Sequence, residues 1–257
     1  MTFLDAVGLG ALQGVTEFLP ISSSGHLVLA EQLLGVKESP LPFIILLHLG
    51  SLAAILLYFW SEVWSVVTTR RHLIPPLVAG TLPALVVYLS LEARLEVLFK
   101  TPVGVGFGLL LTGTVLWVGE RMATETRSLT DLRMGDGFWI GMAQAIALVP
   151  GISRSGMTVA GGLASGLERA AAVAFAFLLG AVAIAGATVI KAKALVGLSE
   201  TMGWAPLVGG FVASAVVSLA SLALLTVVVR RKCLFGFGIY CYVLGSGILL
   251  AKLAGLW

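Results

Sequence analysis

Six apolar runs of about membrane-spanning length constrain this chain more than any other feature of its sequence. They lie at roughly 41–60, 74–91, 102–120, 170–190, 205–229 and 236–256, and they are almost free of charge. Roughly 20 apolar residues cross a bilayer as a helix. In lipid every backbone N–H and C=O must be satisfied within the protein, so only helices and closed barrels span. The short alternating segments of a membrane barrel are missing. The prediction is an all-α polytopic membrane protein. Composition agrees: 11% of the residues are charged and 58% hydrophobic, against about a quarter charged in soluble domains. No polar stretch is long enough for a second, soluble domain, so residues 1–257 form a single membrane domain.

The formal net charge of +3 fits basic loops facing an anionic leaflet. No basic run exceeds Arg230-Arg231-Lys232, so nucleic acid is not expected as a partner. The N-terminus has no cationic segment followed by a cleavage site, so no removable signal peptide is expected. Cys233 and Cys241 stand eight residues apart near one helical segment, about 12 Å at 1.5 Å per residue. That is too far for a disulfide, and two thiols are no zinc signature.

Two further regions, about 5–35 and 136–166, are apolar but broken by proline, glycine and serine. Each half is too short to cross. Such pairs are predicted to be re-entrant hairpins, tolerated where protein or a water-filled cavity satisfies the free backbone. The two regions resemble each other. Sliding "QGVTEFLPISSSGH" by 131 positions lays Gln13 on Gln144, Ile21 on Ile152, Ser22 on Ser153, Ser24 on Ser155 and Gly25 on Gly156. Pro20 and Pro150 miss by one. Three spans follow each hairpin, so the chain reads as two repeats, about 1–122 and 136–257. Three is odd, so the second repeat enters the membrane inverted relative to the first. With the N-terminal side as reference, Arg70, Arg71, Arg121, Arg127, Arg133, Arg169, Arg230, Arg231 and Lys232 fall opposite. Lys37, Arg94, Lys100, Lys191, Lys193 and Lys252 fall on the reference side. This bias puts both termini outside.

The polar residues of the hairpins carry the chemistry. Gln13 and Glu17 are four apart and share a helix face. A carboxylate at membrane depth is costly without a partner or a task. Glu17 is thus a cation or proton site, or an interfacial carboxylate reaching water. Of Ser22, Ser23 and Ser24, one serves as N-cap. Ser23 and His26 are three apart, a spacing compatible with nucleophile and base. In "PGISRSGMT", Arg154 is the only charge between Asp136 and Glu168. Ser153, Ser155 and Thr158 surround it. Hydroxyls, a guanidinium and free amides at a helix start are the parts of a phosphate cradle. Arg154 could equally pair with a buried carboxylate, Glu17 included, and the two roles are compatible. Inverted repeats with broken helices also occur in transporters, so a lipid-phosphate or anion carrier is the rival reading.

These motifs resemble those of the undecaprenyl-pyrophosphate phosphatases of the bacitracin-resistance type, and the resemblance spans essentially the whole chain. "QGVTEFLPISSSGHL" is similar to the family's (E/Q)-x-x-x-E segment with its serine–histidine continuation. "AQAIALVPGISRSGMT" is similar to its P-G-x-S-R-S-x-x-T segment. The resemblance implies a membrane hydrolase that converts polyprenyl pyrophosphate to polyprenyl phosphate and phosphate, renewing the lipid carrier for cell-wall glycans. It also implies a divalent cation, Mg or Ca, and a multi-pass protein of the bacterial plasma membrane with its site open to the outer face. The substrate is a lipid, membrane lipids surround it, and a homodimer is left open. Carried over by motif, Glu17, Ser23, His26 and Arg154 are catalytic. Ser153, Arg154, Ser155 and Thr158 bind phosphate, and Glu17 with Gln13 holds the cation. Gln13 departs from the pattern, since many members have Glu there, which leaves Glu17 to carry most of the cation binding. "PLPFIILLHLG", ending beyond His48, also lacks an acidic residue expected there.

Overall fold

The computed structural model describes residues 1–33, 40–99 and 101–255. Lys37 and Lys100, placed above by charge, lie outside the described residues. The chain folds into helices α1 (Phe3–Phe18), α2 (Ser23–Leu33), α3 (Leu41–Tyr58), α4 (Trp60–Thr68), α5 (Ile74–Phe99), α6 (Pro102–Met122), α7 (Met134–Ile146), α8 (Arg154–Ala164), α9 (Arg169–Ile190), α10 (Leu198–Met202), α11 (Trp204–Arg230) and α12 (Leu234–Leu253). Among the described residues the only β-structure is an isolated bridge between Arg127 and Leu167. Among the described residues six helices are long and apolar enough to cross a membrane: α3, the stretch Arg71–Leu91 that includes most of α5, α6, α9, α11 and α12. They coincide with the six runs read from sequence. The protein is therefore a multi-pass membrane protein. The short helix α4, with Trp60 and Trp64 stacked on its surface, was not foreseen, because its nine residues continue the apolar pattern of α3.

The broken regions are helix pairs. Leu19 leaves α1 in an extended conformation, and Pro20 cannot continue the helix. Ser22 then takes a left-handed backbone, φ 71°, and its hydroxyl accepts from the Gly25 amide at 3.3 Å, starting α2. In the second pair Gly151 has φ 90°. A methyl group there would stand 2.6 Å from the Val105 carbonyl oxygen, so only glycine fits. Ser153 then caps α8, accepting from the Gly156 amide at 3.1 Å. The aligned serines Ser22 and Ser153 thus do the same work. The second pair doubles back on itself. Arg127 bonds Asp136 at the start of α7 at 3.0 Å and the Ser165 carbonyl just past α8 at 2.9 Å, so the two ends of the pair lie together.

Packing exchanges the halves. α1 lies on α11, α7 lies on α5, and α6 lies on α12. Small residues let backbones approach, as expected between helices in lipid. A methyl group on Gly10 would meet the Gly210 carbonyl oxygen at 2.3 Å, and one on the aligned Gly141 would meet that of Gly80 at 2.3 Å. On α6 and α12, Gly106 faces Gly245 and Gly113 faces Gly238. That register requires the two helices to run antiparallel. α9 forms the centre, with Phe175, Phe177 and Leu179 buried in the core.

One end of the bundle carries an ion-pair network. Arg169, buried at the start of α9, meets Glu120 at 2.7 Å and Glu125 at 3.0 Å, and Glu125 also meets Lys232 at 3.2 Å. The hydrogen bond from Lys232, with help from Arg169, holds the Glu125 carboxyl below its ordinary range. Arg127, Arg169 and Lys232 therefore share one end of the bundle, as their grouping by charge anticipates.

Candidate active site

The site forms where the two hairpin turns touch. A methyl group on Gly25 would approach Gly151, and one on Gly156 would approach Pro20. Ser155 donates to the Leu19 carbonyl at 3.4 Å. The contact is reciprocal, because Gly25 and Gly156 are aligned positions. It places Ser23 and Arg154, which are also aligned, as the first residues of α2 and α8.

Both converge on Glu17. The carboxylate is buried, with 7% of the residue exposed. Arg154 Nη2 bonds Glu17 Oε1. Ser23 Oγ donates to Glu17 Oε2 at 2.6 Å and Gln13 Nε2 donates to the same oxygen at 2.9 Å. His48 Nε2 stands 3.6 Å from it. Gln13, Glu17, Ser23 and Arg154 thus come together as the motifs anticipate. Position 148, aligned with Glu17, is leucine. The scaffold repeats but the chemistry does not: one half supplies a carboxylate and a hydroxyl, the other a guanidinium.

His26 is placed differently from its expected pairing with Ser23. Its Nδ1 lies 2.8 Å from the Ser22 carbonyl, and its Nε2 lies 2.7 Å from the Tyr240 hydroxyl, whose ring stacks on the imidazole. Both nitrogens are engaged, and the Ser23 hydroxyl is on Glu17 instead. The imidazole folds back onto the carbonyl one helical turn before it, and the Ser23 hydroxyl reaches Glu17 across the break in the hairpin. Ser153, Ser155 and Thr158 are buried. Ser153 caps α8 and bonds Ser155 at 3.1 Å. Thr158 donates to the Arg154 carbonyl at 2.9 Å. As bonded here, these three hydroxyls hold the turn that presents Arg154.

A cavity of about 280 Å³ opens beside the site, and both Arg154 and His48 line it. Its other walls are mostly apolar and come from α3, α5, α9 and the end of α7, with Ile44, Leu85, Leu148 and Ile184 among them. Sequence reasoning missed His48, although an imidazole inside an uncharged span is a recognisable signal. It also missed Tyr240 and Thr112. Thr112 accepts from the Ser153 amide at 3.0 Å and so supports the second turn. A threonine facing its own helix gives no sequence signal.

The residues fit a cation in part. The Gln13 Oε1 atom is buried without a hydrogen-bond partner, beside the Glu17 carboxylate. Among the described residues no three His, Cys, Asp or Glu groups form a metal cluster. Glu17 and Gln13 could hold an ion whose remaining ligands come from a bound phosphate, the usual arrangement for Mg²⁺.

Fold and site together define a polytopic α-helical membrane protein with a polar centre built from two broken hairpins. The chain belongs to the family described as bacitracin resistance protein BacA, whose profile matches residues 6–247. It is 36% identical over 259 residues to a protein of Carboxydothermus hydrogenoformans named undecaprenyl-diphosphatase, with 99% of each chain covered. It is 38% identical over 253 residues to one of the same name from Rhodopirellula baltica, covering 97% of this chain and 98% of the relative. A third of that name, from Halothermothrix orenii, is 34% identical over 261 residues and covered along its whole length.

Proposed function

We propose that this protein is a membrane phosphatase that hydrolyses undecaprenyl pyrophosphate to the monophosphate and inorganic phosphate, renewing a lipid carrier for cell-wall synthesis. The observation that carries the reading is the convergence of Ser23 and Arg154 on Glu17 across the two hairpins. The names of the full-length relatives support it. Arg154 moves from Glu17 to the terminal phosphate, where its planar fork grips two oxygens and stabilises charge on the transferring phosphoryl group. Ser23 Oγ attacks the terminal phosphorus and passes its proton to Glu17 Oε2. The bond from that phosphorus to the bridging oxygen breaks, and the lipid monophosphate leaves with the electron pair. Water then attacks the phosphoserine, Glu17 returns its proton to Ser23 Oγ as the P–Oγ bond breaks, and the protons of the water leave with the inorganic phosphate. Glu17 and Gln13 would hold a divalent cation, which would supply positive charge for the leaving phosphate. His26, held by Ser22 and Tyr240, supports the start of α2 that carries Ser23.

The apolar cavity beside Arg154 suits the first isoprene units of the lipid. The antiparallel α6 and α12 favour the inverted-repeat reading. The basic end around Arg127, Arg169 and Lys232 is placed in the cytoplasm by charge, with the site opening to the outer face. A carrier without hydrolysis would need Arg154 but would have no use for a hydroxyl bonded to Glu17. The test is phosphate release from undecaprenyl pyrophosphate by purified protein, with Mg²⁺, with Ca²⁺ and with a chelator. Cation-dependent release is expected, and no release under any condition would favour the carrier.

A further inference from the structure

His48 is an ionisable group beside Glu17 that the proposed reaction leaves unused. It sits on α3, and its Nδ1 lies 2.8 Å from the Ile44 carbonyl oxygen one turn back. A carbonyl only accepts, so Nδ1 carries a hydrogen. Nε2 of the neutral ring is then a bare lone pair, and it stands 3.6 Å from Glu17 Oε2. The space between these two acceptors suits a positive group, either a second proton on the imidazole or a cation. The Gln13 amide can serve the cation but not the proton. Its nitrogen is 2.9 Å from the same Oε2, and its Oε1 is buried without a partner. A half-turn of the amide exchanges the two atoms at little steric cost. An unsatisfied oxygen then replaces a satisfied nitrogen beside Oε2, which a proton on His48 would not reward and a cation would. Neighbouring ligands of a six-coordinate ion with bonds near 2.1 Å stand about 3 Å apart, close to the spacings found here.

We propose that His48 Nε2 is a direct ligand, together with Glu17 and Gln13, of the divalent cation of this site. We infer further that the imidazole turns the site towards Mn²⁺, Co²⁺ or Zn²⁺ and away from Ca²⁺. This rests on reading the centre as a cation-assisted phosphatase. With Gln at position 13 the three side chains carry one negative charge, too little to draw a hard ion firmly out of its hydration shell. Imidazole nitrogen favours the transition ions, whereas all-oxygen sets suit Mg²⁺ and Ca²⁺.

The test uses the full-length protein in detergent with Mn²⁺, alone and with methylene diphosphonate, read by pulsed electron paramagnetic resonance. Bound Mn²⁺ should show coupling to a directly attached nitrogen, and ¹⁵N labelling of histidine alone should change the pattern. The coupling should persist in His26→Gln and vanish in His48→Gln. Mn²⁺ affinity in His48→Gln should fall at least about tenfold, with a smaller change for Ca²⁺. Bound Mn²⁺ without nitrogen coupling in the unmutated protein would overturn the proposal. So would coupling that survives in His48→Gln, or no Mn²⁺ binding under either condition. The labelling result needs no variant, so a poorly folded His48→Gln leaves the proposal testable. Absent hydrolysis with the coupling intact would count against the phosphatase reading and leave the ligand assignment standing.

Discussion

Arg154→Lys separates the two roles that its geometry offers. The guanidinium touches Glu17 Oε1, and 26% of the side chain is exposed, at the wall of the cavity beside the site. If Arg154 only balanced Glu17, lysine would preserve the charge and most of the function. If it grips the transferring phosphate through two parallel N–H groups, lysine keeps the charge and loses one charge-assisted hydrogen bond. Such a bond is worth about 1.5–3 kcal/mol. A loss of about 2.7 kcal/mol is two decades at 1.36 kcal/mol each. The expected result is a fall of at least about a hundredfold in kcat/KM. The assay is the initial rate of phosphate release from undecaprenyl pyrophosphate across substrate concentrations in detergent. The thermal midpoint should stay close to that of the unmutated protein, and Arg154→Ala should be nearly as inactive as Arg154→Lys. Activity of Arg154→Lys within tenfold of the unmutated protein would mean that the phosphate is held elsewhere.

Three other outcomes follow from the same geometry. Ser23→Ala should lower turnover by more than the roughly 10²–10⁴-fold typical of losing one proton-transfer group, and a labelled phosphoenzyme should be trappable in the unmutated protein. A smaller loss with no trapped intermediate would point to direct attack by water. Gly141→Val and Gly10→Val should each lower the thermal midpoint in detergent. Even a single methyl would stand 2.3 Å from the carbonyl opposite, and overpacking of this kind costs about 1–3 kcal/mol; unchanged midpoints would refute the close helix contacts. Glu125 has a folded-state pKa lowered by Lys232 and Arg169, so its contribution to stability is present above the unfolded value of 4.5 and is lost as pH falls through the lowered one. Part of the acid-induced drop in thermal midpoint should therefore be missing in Glu125→Gln, and identical pH profiles would contradict this.

Most of the scaffold was legible because lipid leaves few choices. The six runs became six helices, since apolar length settles the matter once water is gone. The hairpin breaks were legible at Pro20 and at Pro150-Gly151 because each has a steric cause. The meeting of Glu17 with Arg154 was readable as charge logic: two isolated charges at membrane depth are unfavourable apart. The pairing of Ser23 was not legible. Spacing along a helix put it beside His26, but the imidazole is held by the Ser22 carbonyl and the Tyr240 hydroxyl, while the Ser23 hydroxyl meets Glu17 across the hairpin break. Tyr240 and Thr112 act from α12 and α6, and nothing local marks a residue whose partner lies far along the chain. His48 was visible as an oddity but had no partner until α1 and α3 were placed together.

The exchange of packing partners between the halves has a consequence for the order of synthesis. α1 leaves the ribosome long before α11, for which the small-residue face around Gly10 is shaped. Residue 204, where α11 begins, emerges nearly 190 residues after the end of α1. At 5–20 residues per second that interval is about 10–40 s. Throughout it, the helix bearing Gln13 and Glu17 lacks its packing surface, and until residue 154 is made its carboxylate also lacks Arg154. A 16-residue helix with a buried acid and no counter-ion is poorly held in a bilayer. It should stay at the membrane surface or against the insertion machinery until the second half arrives. Premature termination anywhere before α11 should therefore yield a product without a stably seated first hairpin, which the cell would meet as a substrate for membrane proteolysis.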